Sequence, residues 1–331
     1  MLISKTPFRM SFFGGGTDVK EHYEQYGGAV LSSTFDKYCY IIMRYCPPFF
    51  KYRGKLSYRK TEEFTNPEEI EHPVVREVLK KYGINDLQIV YDADLPARSG
   101  LGTSSAFSVG LLNALHSIRG EFIDKMSLAK EAIHVERVLC KEAGGVQDQL
   151  ACSFGGLNKY TFNRDGFDVM PIIMPRERKN LLNESLLLFF TGFVRYSADI
   201  LKDQVKNTKS KTQQLNEMHK LVDEGVKILT SKDDLDDFGR LLDYTWQLKK
   251  SLSGRISNNA LDEIYDKAKN AGALGGKVLG AGGGGFILFF VNPEKRQNVI
   301  QALHPLTHVP FNFETGGTRV IYYKYEDRIE V

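Results

Sequence analysis

The sequence predicts an α+β protein of two domains, and three observations carry that prediction. Strand-like apolar and aromatic runs dominate the first 45 residues, helical periodicity follows a glycine loop near residue 100, and strands and helices then alternate to the end. A polar bridge around 174–183, containing Pro-Arg-Glu-Arg-Lys-Asn, breaks the pattern and sets the expected division at 1–178 and 179–331. With 331 residues and 42% hydrophobic composition, the chain can bury a substantial core. The alternation points to helices packed on one side of an antiparallel sheet.

In chain order, strands are expected at 2–13, 29–33 and 38–45, a helix at 68–82 and a short strand at 87–91. The small apolar residues of 105–118 read as a buried helix. Another helix is expected at 127–140, with Leu128, Ala132, Val135 and Leu139 on one face. A short helical piece after Gly144-Gly145 holds Asp148, and 156–162 reads as a strand. The second half offers a strand at 186–190, three helical stretches within 196–250, a helix at 258–271 and a glycine loop. Strand, helix at 294–303 and two closing strands complete it. No internal repeat is visible.

Charge and cysteine usage narrow the function classes. Lys+Arg 44 against Asp+Glu 41 leaves a formal charge of +3, too mild to favour nucleic acid, so a small-molecule substrate is expected. Cys39, Cys46, Cys140 and Cys152 form no C-x-x-C pair and have no His at metal-ligand spacing, which suggests reduced thiols. The first residues lack a signal-peptide core and no apolar run reaches the ~18 residues of a membrane span. A soluble cytoplasmic protein without a membrane partner is expected, as a monomer or homodimer.

The most informative stretch is Leu95-Pro-Ala-Arg-Ser-Gly-Leu-Gly-Thr-Ser-Ser-Ala-Phe107, a glycine loop between a strand and a helix. Gly100 and Gly102 let backbone approach a ligand closely, and Thr103, Ser104 and Ser105 put hydroxyls and N–H groups at a helix start, where the dipole favours anions. It is neither of the two familiar phosphate loops. The Walker-like string at Gly276-Lys277 has Ala271 in place of the first glycine and Val278 in place of the hydroxyl. The dinucleotide-like string Gly280-Ala-Gly282-Gly-Gly-Gly285 runs into the strand-like Phe286-Ile-Leu-Phe-Phe-Val291, where a helix is required.

Three glycine segments in order, Phe8-Arg-Met-Ser-Phe-Phe-Gly-Gly-Gly-Thr-Asp18, the loop at Gly100 and Gly280–Gly285, together with Gly144-Gly-Val-Gln-Asp-Gln149, resemble the motifs of the GHMP kinases. That superfamily comprises galactokinase, homoserine kinase, mevalonate kinase and phosphomevalonate kinase, and the likeness runs nearly end to end. The form of residues 6–18 resembles heptose 7-phosphate kinases and, more loosely, fucokinases; the Gly-Glu-His element of galactokinases is lacking. The resemblance implies a ribosomal-protein-S5-domain-2-like N-terminal domain, a ferredoxin-like C-terminal domain, and ATP with Mg2+ at their junction.

Phosphoryl transfer asks a protein mainly for positioning and charge stabilisation, and each role has a candidate. The resemblance implies that Ser104 lies next to the metal, with Glu136 as its carboxylate ligand, and that Ser99, Gly100, Leu101, Gly102, Thr103, Ser104 and Ser105 cradle the ATP phosphates. A simple helix cap is the alternative for the hydroxyls, and a surface ion pair for Glu136. Asp148 matches the superfamily's catalytic aspartate, which accepts or orients the proton of the attacking hydroxyl, and Arg9 is the matching cation. For these two the alternatives are a helix N-cap and a surface strand position.

Gly14, Gly15, Gly16, Thr17 and Asp18 would form a sugar floor, Asp18 accepting from ring hydroxyls; an Asx-turn in a tight hairpin is the other reading. Gly282 and Gly283, in the last glycine loop, would approach the phosphoryl-accepting end of the substrate. A phosphorylated sugar also needs cations, for which Arg98, Arg195 and the alternating Lys51, Arg53, Lys55 and Arg59 are candidates.

The expected activity is therefore Mg-ATP-dependent phosphorylation of O1 of D-glycero-D-manno-heptose 7-phosphate, for nucleotide-activated heptose in bacterial surface glycans. Fucose, galactose or a related hexose is the alternative acceptor. A non-catalytic nucleotide- or sugar-sensing regulator of the same fold, or a dinucleotide oxidoreductase, would be the rival class.

Overall fold

The computed structural model describes residues 1–97, 99–192 and 208–325. Two sheets organise it. The larger has nine strands, ordered β13-β1-β2-β5-β3-β4 along its main path, with β6, β7 and β12 joined through β2. Here β1 is Leu2–Phe13, β2 Gly28–Tyr45, β3 Gly54–Ser57, β4 Thr61–Phe64, β5 Leu87–Ala93, β6 Leu157–Asn163 and β7 Gly166–Pro171. The chain closes with β12, Phe313–Glu314, and β13, Arg319–Tyr323. The smaller sheet runs β11-β8-β10-β9, from Thr307–His308, Leu186–Phe190, Phe286–Val291 and Ala273–Val278. Pairing is antiparallel except between β3 and β5.

The two strands expected at 29–33 and 38–45 are one 18-residue strand, β2. Its pairing with β1 steps from Pro7–Tyr38 to Phe8–Phe35, so Asp36 and Lys37 form a bulge opposite Pro7, which has no N–H to donate. That polar bulge is what split the hydrophobic pattern. From Phe8 to Phe13 every residue of β1 is buried, because helices cover one face and the second half of the chain covers the other. Arg9 is a charged residue inside that run.

Helix α1 is Lys20–Tyr26 and α2 is Pro73–Tyr82, which begins at a proline because the preceding residue is biased away from helical geometry; only a 3-10 turn, Pro67–Glu69, lies where the helix was expected to start. Helix α3, Thr103–Ile118, lies across β1 and β2 and is buried almost throughout. Helix α4, Lys125–His134, starts at Asp124, whose carboxylate accepts from the Met126 and Ser127 N–H groups. It does not run on to residue 140 as an α-helix: Val135–Leu139 is a π turn, closed by Cys140 N–H donating to the Val135 carbonyl. Helix α5 is Gln147–Phe154 and α6 is Arg176–Glu184.

In the second half, α7 (Thr212–Thr230), α8 (Asp236–Lys250), α9 (Asn259–Asn270) and α10 (Arg296–Ala302) accompany the small sheet. The first of the three helical stretches expected there falls on residues 193–207, outside the described residues. Helix α7 packs on β1 and β2 as well, where Gly225 leaves room for the Phe13 ring. Phe12 and Phe13 meet Phe238 edge-on at 5.3 and 4.9 Å between ring centres, so one apolar core joins the two halves.

The expected division into 1–178 and 179–331 does not describe the end of the chain. β12 and β13 return to the large sheet, pairing with β2 and β1, so the last strands complete the first half. The basic strand face expected from Lys51 to Arg59 is also absent, since only Gly54–Ser57 is a strand and Lys51, Arg53 and Arg59 lie in bends beside it.

Candidate active site

Arg9 and Asp148 come from opposite ends of the first half and meet at the start of α3. The buried guanidinium grips the carboxylate through two bonds, Nε to Oδ1 and Nη2 to Oδ2, both 2.7 Å. Its third arm, Nη1, donates to the Gly100 carbonyl at 2.6 Å, and its backbone N–H donates to the Leu101 carbonyl at 3.0 Å. Gly102, the N-cap of α3 at φ 74°, sits against this pair: a Cβ there would lie 3.1 Å from Arg9 Cγ and 3.5 Å from Asp148 Oδ2. Arg9 is 5% exposed but Asp148 23%, so the carboxylate keeps a side open to a ligand.

The loop divides into exposed and structural positions. Ser104 is exposed and Gly100 partly so, whereas Ser99, Leu101 and Gly102 are buried, as are Thr103 and Ser105 in the first turn of the helix. Gly100 is pressed against the last glycine loop: a Cβ on Gly280 would fall 2.5 Å from the Gly100 Cα, and one on Gly285 2.4 Å from the Ser99 carbonyl oxygen. Gly282 and Gly283 turn elsewhere. A Cβ on Gly282 would meet Ile256, and the Gly283 N–H donates to the Ile256 carbonyl at 2.8 Å. Gly280 and Gly285 thus buttress the glycine loop that opens α3.

Glu136, on the π turn, is 1% exposed and faces α3. Its Oε2 accepts from Ser105 Oγ at 3.1 Å and from Gln149 Nε2 at 2.8 Å, while Oε1 is buried without a partner. Burial pushes this carboxyl up to about 7, against the pull of Arg137. A carboxyl oxygen left without a partner, on a side chain bonded to the first turn of the helix where the preceding Ser104 is exposed, is donor chemistry a hard cation takes, so the residues present fit Mg2+. Among the described residues no cluster of three His, Cys, Asp or Glu could hold a metal without the substrate's help. Ser105, expected on phosphate, is engaged by Glu136.

The predicted sugar floor is partly scaffold. Thr17 is fully buried, its hydroxyl donating to the Gly14 and Ala29 carbonyls and accepting from Ala29 N–H, and a Cβ on Gly14 would strike the Ala29 oxygen at 1.9 Å. Gly15 and Gly16 are partly exposed. Asp18 reaches back to accept from Gly16 N–H at 3.0 Å, the reverse of an Asx-turn, and also accepts from Gln147 N–H at 3.2 Å. Burial and the nearby Asp148 raise its carboxyl above the usual range. A Cβ on Gly145 would sit 1.8 Å from Asp18 Oδ2, so that glycine is what lets Asp18 reach α5.

Several residues of this site were not foreseen. Gln147 accepts from Ser11 Oγ at 2.5 Å and Gln149 holds Glu136, both flanking Asp148 in sequence. Lys249 and Lys277 are buried beneath the loops: Lys249 Nζ donates to the Gly280 carbonyl and Lys277 Nζ to the Phe12 carbonyl at 2.7 Å. Lys249 carries a sequence signal, because it continues the apolar stripe Phe238, Leu241, Leu242, Thr245, Trp246 of α8. Arg98 and Arg195 lie outside the described residues.

Comparison with known proteins follows this geometry. Residues 70–156 match the GHMP kinases N terminal domain and 226–305 the GHMP kinases C terminal family. The chain is 32% identical, over 91% of its length and 92% of the relative's, to a D-glycero-alpha-D-manno-heptose 7-phosphate kinase of Campylobacter jejuni. It is 30% identical over 66% of its length to an L-fucokinase/L-fucose-1-P guanylyltransferase of Bacteroides fragilis, covering 23% of that protein. A crystal structure of a D-glycero-D-manno-heptose 1-phosphate kinase from Bacteroides thetaiotaomicron superposes with a TM-score of 0.73 at 26% identity, covering 98% of this chain and all of that one. No helix among the described residues is long and apolar enough to cross a membrane. With both domains matched and the likeness extending over nine-tenths of the chain, the protein belongs to the GHMP kinase family.

Proposed function

We propose that this GHMP kinase transfers the terminal phosphoryl of ATP to O1 of D-glycero-D-manno-heptose 7-phosphate, giving the 1,7-bisphosphate for nucleotide-activated heptose. The observation that carries the reading is the Arg9–Asp148 pair locked to the glycine turn that opens α3. In this reading Asp148 takes or orients the proton of the sugar hydroxyl, O1 forms the new bond to phosphorus, and the bond to the bridging oxygen breaks to release ADP. Arg9 fixes the carboxylate and leaves its outer edge toward the acceptor. The exposed start of α3, with Gly100 and Ser104, receives the phosphates through N–H groups and the helix dipole. Ser104 and Glu136 would hold Mg2+, which when bound neutralises charge on the phosphate oxygens. Asp18, with Gly15 and Gly16, meets the sugar. The likeness to a heptose 7-phosphate kinase over nine-tenths of both chains supports the acceptor.

The names of the relatives put the acceptor's existing phosphate at opposite ends of the heptose. An ADP-release assay over heptose 7-phosphate, heptose 1-phosphate, free heptose, fucose and galactose, with phosphorus NMR of the product, separates them. Heptose 7-phosphate is expected to turn over with the highest kcat/KM and to gain a phosphate on the anomeric carbon. Preference for another acceptor overturns the substrate assignment, and no ADP release with any of them leaves a non-catalytic sensor of the same fold.

A further inference from the structure

The two glycine loops that meet at the site each present a carbonyl, and each carbonyl is held by a buried cation. Gly100 O accepts from Arg9 Nη1 at 2.6 Å, and Gly280 O accepts from Lys249 Nζ. Because Gly280 stacks on the Gly100 backbone, the two cations bond to carbonyls of the same junction. They differ in how their charge is met. Arg9 is paired with a carboxylate through two bonds, whereas Lys249, 5% exposed, has a neutral carbonyl for a partner, and an ammonium carries three donors. Burying a cation on so little is unfavourable until an anion arrives.

We infer that Lys249 is a catalytic residue of this kinase, its ammonium meeting the non-bridging oxygens of the phosphoryl group as that group passes to the acceptor. The inference rests on the kinase reading above. Burial, and after it the Arg9 charge, lower the ammonium to about 8 against the opposing pull of Asp18 and Asp148, so Lys249 lies among the pair at the start of α3 and the acid assigned to the sugar. That neighbourhood argues against a grip on the acceptor's distal phosphate, which is separated from O1 by the length of the sugar. Lys277, whose ammonium is lowered by burial and then by the nearby Lys249 and Arg9 charges, differs in its partner, the Phe12 carbonyl of β1 instead of a carbonyl of the glycine loops.

Two substitutions test it. Lys249→Met removes charge and hydrogen bond; Lys249→Gln removes the charge but keeps a donor for the Gly280 carbonyl, and stands in if the Met variant fails to fold. Turnover, the KM for sugar phosphate, ADP affinity and affinity for ADP with aluminium fluoride and acceptor are measured alongside thermal unfolding. Both variants are expected to lose about 100-fold in kcat and in affinity for the aluminium fluoride complex, while ADP binding stays within about threefold. Recovery of the rate by Gln would reduce Lys249 to a brace for the loop and overturn the inference. So would a loss confined to the KM for sugar phosphate, or equal losses for ADP and the aluminium fluoride complex. Wild-type protein that transfers nothing overturns the kinase reading and this inference with it, whereas active wild type with unaffected variants overturns this inference alone.

Discussion

Asp148→Asn separates chemistry from architecture. The amide keeps the shape and one acceptor oxygen, so one of the two 2.7 Å bonds from Arg9 can survive, while the other meets an NH2 group. A lost charge-assisted bond to a buried guanidinium costs about 2 kcal/mol, at the lower end because the carboxylate is 23% exposed and partly screened by water. Arg9 stays tied to the Gly100 carbonyl and the Leu101 backbone, which leaves the phosphate loop standing. The amide cannot accept a proton, and removal of a general base costs roughly 100- to 10,000-fold, so a fall in kcat of about 1,000-fold is expected, or ~4 kcal/mol of barrier. An ADP-release assay reads the rate, titration calorimetry the nucleotide affinity, and thermal unfolding the structural cost. A rate within about tenfold of wild type would remove Asp148 as the base. Parallel loss of ADP binding would mean that the pair acts only by holding the loop.

Other perturbations probe other parts. Ser104→Ala is expected to raise the Mg2+ concentration for half-maximal rate several-fold without changing thermal stability, because Ser104 is exposed; an unchanged metal dependence would take it out of the ligand set. Gly145→Ala puts a methyl group where Asp18 Oδ2 lies, so the KM for sugar is expected to rise by about tenfold or more while ADP affinity holds; an unaltered KM would free Asp18 from a part in sugar binding.

A pH prediction comes from the surface brace in which Glu131 accepts from Lys81, Tyr82 and His116. Burial opposes ionisation of Glu131, yet bonds from His116, Lys81 and Tyr82 hold its carboxyl down to about 2, while the bond to Glu131 raises His116. The depressed carboxyl contributes stability above its unfolded range near pH 4.3, lost as pH falls toward 2; the raised imidazole contributes below pH ~6.5, lost as pH rises through its folded value. Glu131→Gln is expected to lose most stability between pH ~4.5 and ~6.5, by about 2 kcal/mol, with the two unfolding curves converging as pH falls toward 2. As pH rises through the folded range of His116 the gap narrows without closing, because the Lys81 and Tyr82 bonds remain. A pH-independent difference would show that the brace is not ionic.

What could be read from the chain, and what could not, follows from range. Gly102, Ser104 and Asp148 announce themselves locally, through glycine spacing, a helix start and a lone acid between amides, and Arg9 stands out as a charge in an apolar strand. Glu136 was picked out by the resemblance, but the π turn that aims it inward was not legible, because one extra residue in a helical turn leaves the apolar pattern nearly intact. The continuity of β2 was hidden by a polar bulge. How the last glycine loop packs was hidden for a different reason: a run of four glycines has no pattern of its own, and Gly100, Ser99 and Ile256 decide which glycine packs where. Lys249 was overlooked beside Lys250 as an ordinary cationic helix end, although its place on the apolar stripe set it apart.

The return of β12 and β13 to the large sheet bears on how the molecule is made. During synthesis β1 leaves the ribosome long before its neighbour on the outer side, β13, which is more than 300 residues behind it. Until then the nascent sheet carries an open edge beside the strand that bears Arg9, and Tyr38 lacks the Glu314 carboxylate to which its hydroxyl donates in the finished protein. A fragment stopped at residue 178 is therefore expected to aggregate, and pairing with separately supplied C-terminal chain would be the route by which it becomes soluble.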